Sequence, residues 1–156
     1  MKEKDLYEPI WENLKNLFLN KYDGCCLEIT HNGKYSEDLK ATFDRDILFF
    51  FKGRLSPDLT GFIVKDSLKR FIVVEIKKGQ IKLPDIYQAK IYADFFRAEF
   101  CFLISSKPIP EEIKRVLKER PEVANGYAYK PIFLAQYDIE KGRILEYSWF
   151  PENPFL

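Results

Sequence analysis

The run Arg70-Phe71-Ile72-Val73-Val74-Glu75-Ile76-Lys77 decides how this chain is read. It is β-branched and aromatic, the composition of a strand. Upstream, Leu59 to Val64 has the same character, and the polar stretch Lys65-Asp66-Ser67-Leu68-Lys69 predicts a hairpin between the two. Downstream, Pro84 opens a helix, since proline's missing N–H costs nothing in a first turn. Asp85 suits the positive end of that helix, which is expected to run to about Arg97. Phe100 to Ile104 is apolar throughout, as in a sheet covered on both faces. Hairpin, helix, then strand implies a crossover to a parallel neighbour.

Working outward, Leu6, Ile10, Leu14, Leu17 and Phe18 have helical spacing. Cys25 to Thr30 reads as a strand, and His31-Asn32-Gly33-Lys34 as a turn. Ser36 to Leu39 opens a short helix. Ile47 to Phe51 fits a buried strand or a buried helical turn, and its periodicity does not choose. Glu111 and Glu112 precede Lys118 and Arg120 in a helix opened by Pro110, an order that complements the dipole. Ile132 to Tyr137 and Ile144 to Phe150 are expected as final strands, turned at Lys141-Gly142. The expectation is one α/β domain over residues 1–156, a mixed β-sheet flanked by helices.

No stretch is apolar enough to span a bilayer, and no apolar segment follows Met1-Lys2-Glu3-Lys4-Asp5, so a cytoplasmic protein away from membranes is expected. Three cysteines, two of them adjacent, argue for small buried hydrophobes over a disulfide framework. The net charge of +1 speaks against a large non-specific DNA-binding surface. Lys65, Lys69, Arg70, Lys77, Lys78 and Lys82 gather around the central strands, as solvated hairpin ends or as a phosphate-facing strip. The aromatic runs at Phe49 to Phe51 and Phe95-Phe96 suit a core or a dimer seam.

In a strand, residues i and i+2 share a face, so Glu75 and Lys77 project together while Val74 and Ile76 face the packing. Asp58 begins the partner strand, where its carboxylate can converge with that of Glu75. Two neighbouring carboxylates repel unless a divalent cation lies between them. Magnesium keeps several waters, so two carboxylates suffice when a substrate phosphate completes the site. A lysine beside them can orient the attacking water and offset charge on the phosphate. The bland alternatives are a turn residue for Asp58 and a weak ion pair for Glu75 and Lys77.

Pro57-Asp58, the hairpin, and Glu75-Ile76-Lys77 together resemble the defining motif of the PD-(D/E)xK phosphodiesterase superfamily. Gln88-Ala89-Lys90-Ile91-Tyr92 is similar to the QxxxY helix of its RecB-like and Holliday-junction-resolvase-like branches, and lies on the helix after the ExK strand, as in that family. Gln88 and Tyr92 are i and i+4, on one helix face. Glu8 stands where many members carry an extra acidic residue near the metal, with Glu12 as a competing candidate. The resemblance covers roughly Asp58 to Ile104 and the first helix. It implies a restriction-endonuclease-like fold and Mg²⁺-dependent hydrolysis of nucleic acid, DNA ahead of RNA, with Mn²⁺ as a substitute. A role in DNA repair or restriction goes with it. On that resemblance Asp58, Glu75 and Glu8 bind metal, Lys77 assists the water, and Gln88 and Tyr92 order the site or touch the substrate backbone. Lys78 faces solvent or a phosphate. A homodimer or a partner protein is compatible with such a small domain. The rival expectation is a catalytically inactive nuclease-fold module that binds nucleic acid or a protein.

Overall fold

The computed structural model describes residues 1–51 and 55–156. A 3-10 turn at Glu3–Leu6 leads into α1 (Tyr7–Lys21), followed by β1 (Gly24–Ile29), α2 (Glu37–Thr42), α3 (Arg45–Phe50), β2 (Leu59–Lys65) and β3 (Leu68–Lys77). Then come α4 (Leu83–Phe96), β4 (Ala98–Ser105), α5 (Glu111–Glu119), β5 (Ile132–Asp138) and β6 (Arg143–Ile144). The strands form one mixed sheet in the order β1-β2-β3-β4-β5-β6. The β1–β2, β2–β3 and β5–β6 pairs are antiparallel, whereas β3, β4 and β5 run parallel through crossovers by α4 and α5. The fold is therefore α/β with helices on both faces. Among the described residues no helix is long and apolar enough to cross a membrane.

Alternation along the strands sorts the core into two layers. Ile72, Val74 and Ile76 of β3, with Phe102 of β4, pack under α1 through Ile10, Leu14 and Phe18. Val73 of β3, with Cys101 and Leu103 of β4, packs under α4 through Ile86, Ala89, Tyr92 and Phe96. Glu75 and Lys77 have the parity of Val73, so they face α4, as expected from the strand period. Cys101 is buried, Cys25 and Cys26 are partly so, and all three are free thiols.

The β2–β3 hairpin turns in two residues rather than five. Lys65 pairs with Leu68 and Val64 with Lys69, leaving Asp66 and Ser67, both at positive φ, as the turn. Gly61 sits where β1 crosses closely, and a Cβ there would overlap the carbonyl oxygen of Cys26. The outer edge of β1 is partly closed by Trp11, whose indole N–H donates to the carbonyl of Leu27.

One segment the pattern left open is decided, and one departs from expectation. Ile47 to Phe51 is helical up to Phe50, because the Asp44 side chain accepts from the backbone N–H of Asp46 (2.8 Å) and Ile47 (3.3 Å). Asp44 is thus the cap of α3. Ile144 to Phe150 is not one strand. Pairing with β5 ends at Ile144, Glu146–Ser148 forms a 3-10 turn, and only Phe150 rejoins the sheet, by a bridge to Leu134. The Ser148 hydroxyl drives the break by donating to the Leu145 carbonyl at 2.6 Å and accepting from the Gln136 N–H at 2.9 Å.

Candidate active site

The β2–β3 register pairs Leu59 with Val74, so one step further along the ladder Asp58 stands opposite Glu75. The Asp58 carboxylate takes up the ladder there: its Oδ2 accepts the Ile76 N–H at 2.7 Å. The loop before it is pinned from two sides. Thr30 donates its backbone N–H to the Asp58 carbonyl and its hydroxyl to the Pro57 carbonyl, both at 2.8 Å. The Tyr92 hydroxyl donates to the Ser56 carbonyl at 3.3 Å and accepts from the Gln88 amide at 3.1 Å. The predicted pair on α4 therefore acts on the Ser56-Pro57 loop through Tyr92, which is buried, while Gln88 is partly open to solvent.

Asp58 keeps 6% of its surface and Glu75 5%, so two carboxyl groups share one buried spot. Burial first, and then Asp58, pushes Glu75 up to about 10, with the Lys77 ammonium opposing. The pair thus holds a proton at neutral pH, which a divalent cation would displace. Lys77 lies on the same face and is held by Asp85 on α4, with Nζ 3.6 Å from Oδ1. Asp85 also accepts the Lys82 N–H at 2.8 Å, so one carboxylate both caps α4 and anchors the lysine. Burial lowers the Lys77 pKa and the surrounding carboxylates raise it, chiefly Glu75 and Asp85, with a net upward result that keeps it charged.

Among the N-terminal carboxylates, Glu3 is the one whose charge acts on Glu75 and Lys77. Glu8 is exposed on α1 and does not figure among the charges acting on Glu75 or Lys77, nor does Glu12. Glu3 does act on both, and its Oε2 accepts the Lys78 N–H at 3.1 Å. The physical reason is that the chain enters α1 through the 3-10 turn at Glu3–Leu6, which lies against the end of β3. Lys78 thus meets Glu3 and donates its ammonium to the Met1 carbonyl. Tyr7 follows on this path, its ring 4.7 Å from that of His31. Its phenol is pushed up by burial and then by the negative charge of Asp58. Glu3, Tyr7 and Asp85 have no motif in the sequence. Only Asp85, as an acidic residue at a helix start, carried any signal.

The cations read as one strip divide into two groups. Lys77, Lys78 and Lys82 are at the site end of β3. Lys69 and Arg70 are about 25 Å away along the strand, with Arg70 bonded to Glu99 at 2.7 Å. A groove of about 950 Å³ opens beside the carboxylate pair rather than over it, lined by Lys34, Lys40 and Arg45, by Glu37 and Asp46, and by Tyr35 and Phe49. It joins the site through Tyr35, whose hydroxyl lies 3.2 Å from the Phe51 carbonyl and 3.4 Å from the Ser56 hydroxyl.

Among the described residues no group of three or more His, Cys, Asp or Glu side chains forms a ready metal cage. The donor set is two facing carboxylates with further negative charge from Glu3 and Asp85 nearby. That chemistry suits an oxygen-seeking ion which retains waters. No protein-family model matches the chain, and the curated proteins and solved structures contain no match to it.

Proposed function

We propose that this chain is a magnesium-dependent nuclease of the PD-(D/E)xK type, hydrolysing phosphodiester bonds in nucleic acid, DNA ahead of RNA. One observation carries the reading: Asp58 and Glu75 face each other, buried, at the ends of adjacent strands, beside a charged lysine. A fold gains nothing from burying two like carboxyls unless something binds them.

Asp58 and Glu75 would hold Mg²⁺, with Mn²⁺ as a substitute. The ion supplies charge neutralisation at the scissile phosphate and lowers the cost of deprotonating the attacking water. The chain's own groups do the rest. The Ile76 N–H fixes the Asp58 carboxylate. Lys77, aimed by Asp85, orients the water and balances charge that develops on the phosphate. Gln88 and Tyr92 hold the Ser56-Pro57 loop, which sets the position of Asp58. The adjoining groove offers Lys34, Lys40 and Arg45 to flanking phosphates, set against the carboxylates of Glu37 and Asp46 with Lys40 paired to Glu37 at 3.5 Å, which fits a modest footprint.

The test is cleavage of a mixed panel of DNA and RNA substrates with Mg²⁺ or Mn²⁺. Cutting is expected, and EDTA, Glu75→Ala and Lys77→Ala should each abolish it. Cutting that survives Asp58→Ala and Lys77→Ala overturns the assignment. The deep burial of the pair favours a second reading, a nuclease-fold module that no longer cuts. Thermal unfolding with and without Mg²⁺ separates the two. A working site gains roughly 2.7 kcal/mol at a hundredfold excess of metal over its dissociation constant, and an inert one gains nothing.

A further inference from the structure

Helix α4 is apolar on two sides. One side, carrying Ile86, Ala89, Tyr92, Ala93 and Phe96, is buried on the sheet. The other presents Leu83, Tyr87, Ile91 and Phe95 at intervals of four residues along the whole helix, and these keep 40, 48, 43 and 49% of their surface. Phe50 of α3, 67% exposed, widens this ridge by stacking on Phe95 with ring centroids 6.1 Å apart. At about 150–250 Å² per aromatic side chain, the three aromatics alone leave roughly 300 Å² of apolar surface open, before Leu83 and Ile91 are added. That is the size at which a patch marks an interface, and it suits the apolar centre of one burying about 800 Å² per partner.

From this ridge we infer that the occupant is a second copy of the chain, docked by α4 on α4 about a two-fold axis. A ridge of residues spaced by four packs into the matching groove of an identical helix at about −50°. With the axis between Tyr87 and Ile91, Leu83 meets the partner's Phe95 and Tyr87 meets the partner's Ile91. The charges agree with this pairing. Lys82, exposed before the first turn, comes beside the partner's Asp94, exposed near the last. The contact is isologous, so each match occurs twice. Nucleic acid fits this face poorly. Its five apolar side chains carry no charge, and the groove at its Phe95 end is lined by three aspartates, Asp44, Asp46 and Asp94, against one cation, Arg97. Gln88 projects from the adjoining face of the same helix, so the dimer would hold two copies of the candidate site in fixed relation.

Sedimentation equilibrium of the full chain over a dilution series tests this. The expected mass is twice the 18.5 kDa of one chain. Ile91→Glu should return it to a single chain with unchanged circular dichroism, because that side chain is half-exposed. Should Ile91→Glu fail to fold, Tyr87→Lys on the same ridge takes its place. Lys82→Asp should weaken the dimer, and adding Asp94→Lys should restore it. A wild-type chain that stays single throughout overturns the inference. So does a dimer that survives Ile91→Glu and Tyr87→Lys, or a single chain whose oligonucleotide binding Ile91→Glu abolishes. The mass does not depend on cleavage, so a dimer that cuts nothing sinks the nuclease reading and leaves the surface standing.

Discussion

The two faces of the central sheet are built from alternate residues of the same strands, yet they hold different things. Under α1 the packing is aromatic and dry. Phe102 alone touches Phe18, Phe100, Phe133, Trp149 and Phe155, with ring centroids between 5.1 and 6.2 Å. Under α4 the apolar layer stops short at one end, where Asp58, Glu75, Ser56 and the Tyr92 hydroxyl are buried together. The first face is what burial of apolar area favours. The second carries a cost in buried polar groups, offset only where each finds a partner. The contrast sets the carboxyl pair apart from the 950 Å³ groove, which lies beside the carboxyls and not upon them.

The contrast can be broken experimentally. Phe102→Ala should cost about 3–5 kcal/mol in denaturant unfolding, because the side chain is fully buried among rings that cannot collapse into the gap. It should leave the stabilising effect of Mg²⁺ on the remaining fold unchanged. A Phe102→Ala chain that keeps its stability but loses its metal response would mean that the two faces are not separate in function.

A smaller effect follows from the raised pKa of Glu75. The folded chain holds a proton on the pair up to about pH 10, whereas the unfolded chain releases it near the ordinary carboxyl value of 4.5. The folded state therefore binds more protons in that window. Stability without metal is full below it and falls as pH rises through it. Glu75→Gln removes the slope, and at pH 8 should stabilise the metal-free protein by on the order of 1–4 kcal/mol. Unfolding curves from pH 5 to about 10 check this. Parallel slopes for the two proteins would show that the carboxyls do not share a site.

Smallest is Tyr92→Phe, which removes one hydroxyl from the polar end and leaves the aromatic packing in place. The expected loss is about 1 kcal/mol, since the Ser56 carbonyl and the Gln88 amide lose a partner. Because the Ser56-Pro57 loop carries Asp58, the metal-dependent gain in stability should fall with it. Unfolding with and without Mg²⁺ measures both. An unchanged metal gain would make Tyr92 a packing residue only.

Much of the fold was legible because its central elements are strongly patterned. The β-branched run Phe71 to Val74, the apolar run of β4 and the proline-opened α4 each announce their type, and their order dictates the crossover. The segments that the pattern left open or misread are those where side chains compete with the backbone. Asp44 capped what reads equally as a strand, and Ser148 interrupted a run that continues to Phe150 in pattern alone. The aromatic runs also divided: Phe51 and Phe96 are core, whereas Phe49, Phe50 and Phe95 are exposed.

By itself the sequence determined that Glu75 and Lys77 share a strand face and that Gln88 and Tyr92 share a helix face, because both statements follow from backbone period. It also determined that Asp58 enters the same hairpin. Only the tertiary structure decided that Asp58 stands opposite Glu75, that Asp85 holds Lys77, and that Glu3 meets Lys78 at the end of β3. Those depend on hairpin register and on the path of the chain into α1. Such contacts between residues as distant as Glu3 and Lys78 leave no local period to read.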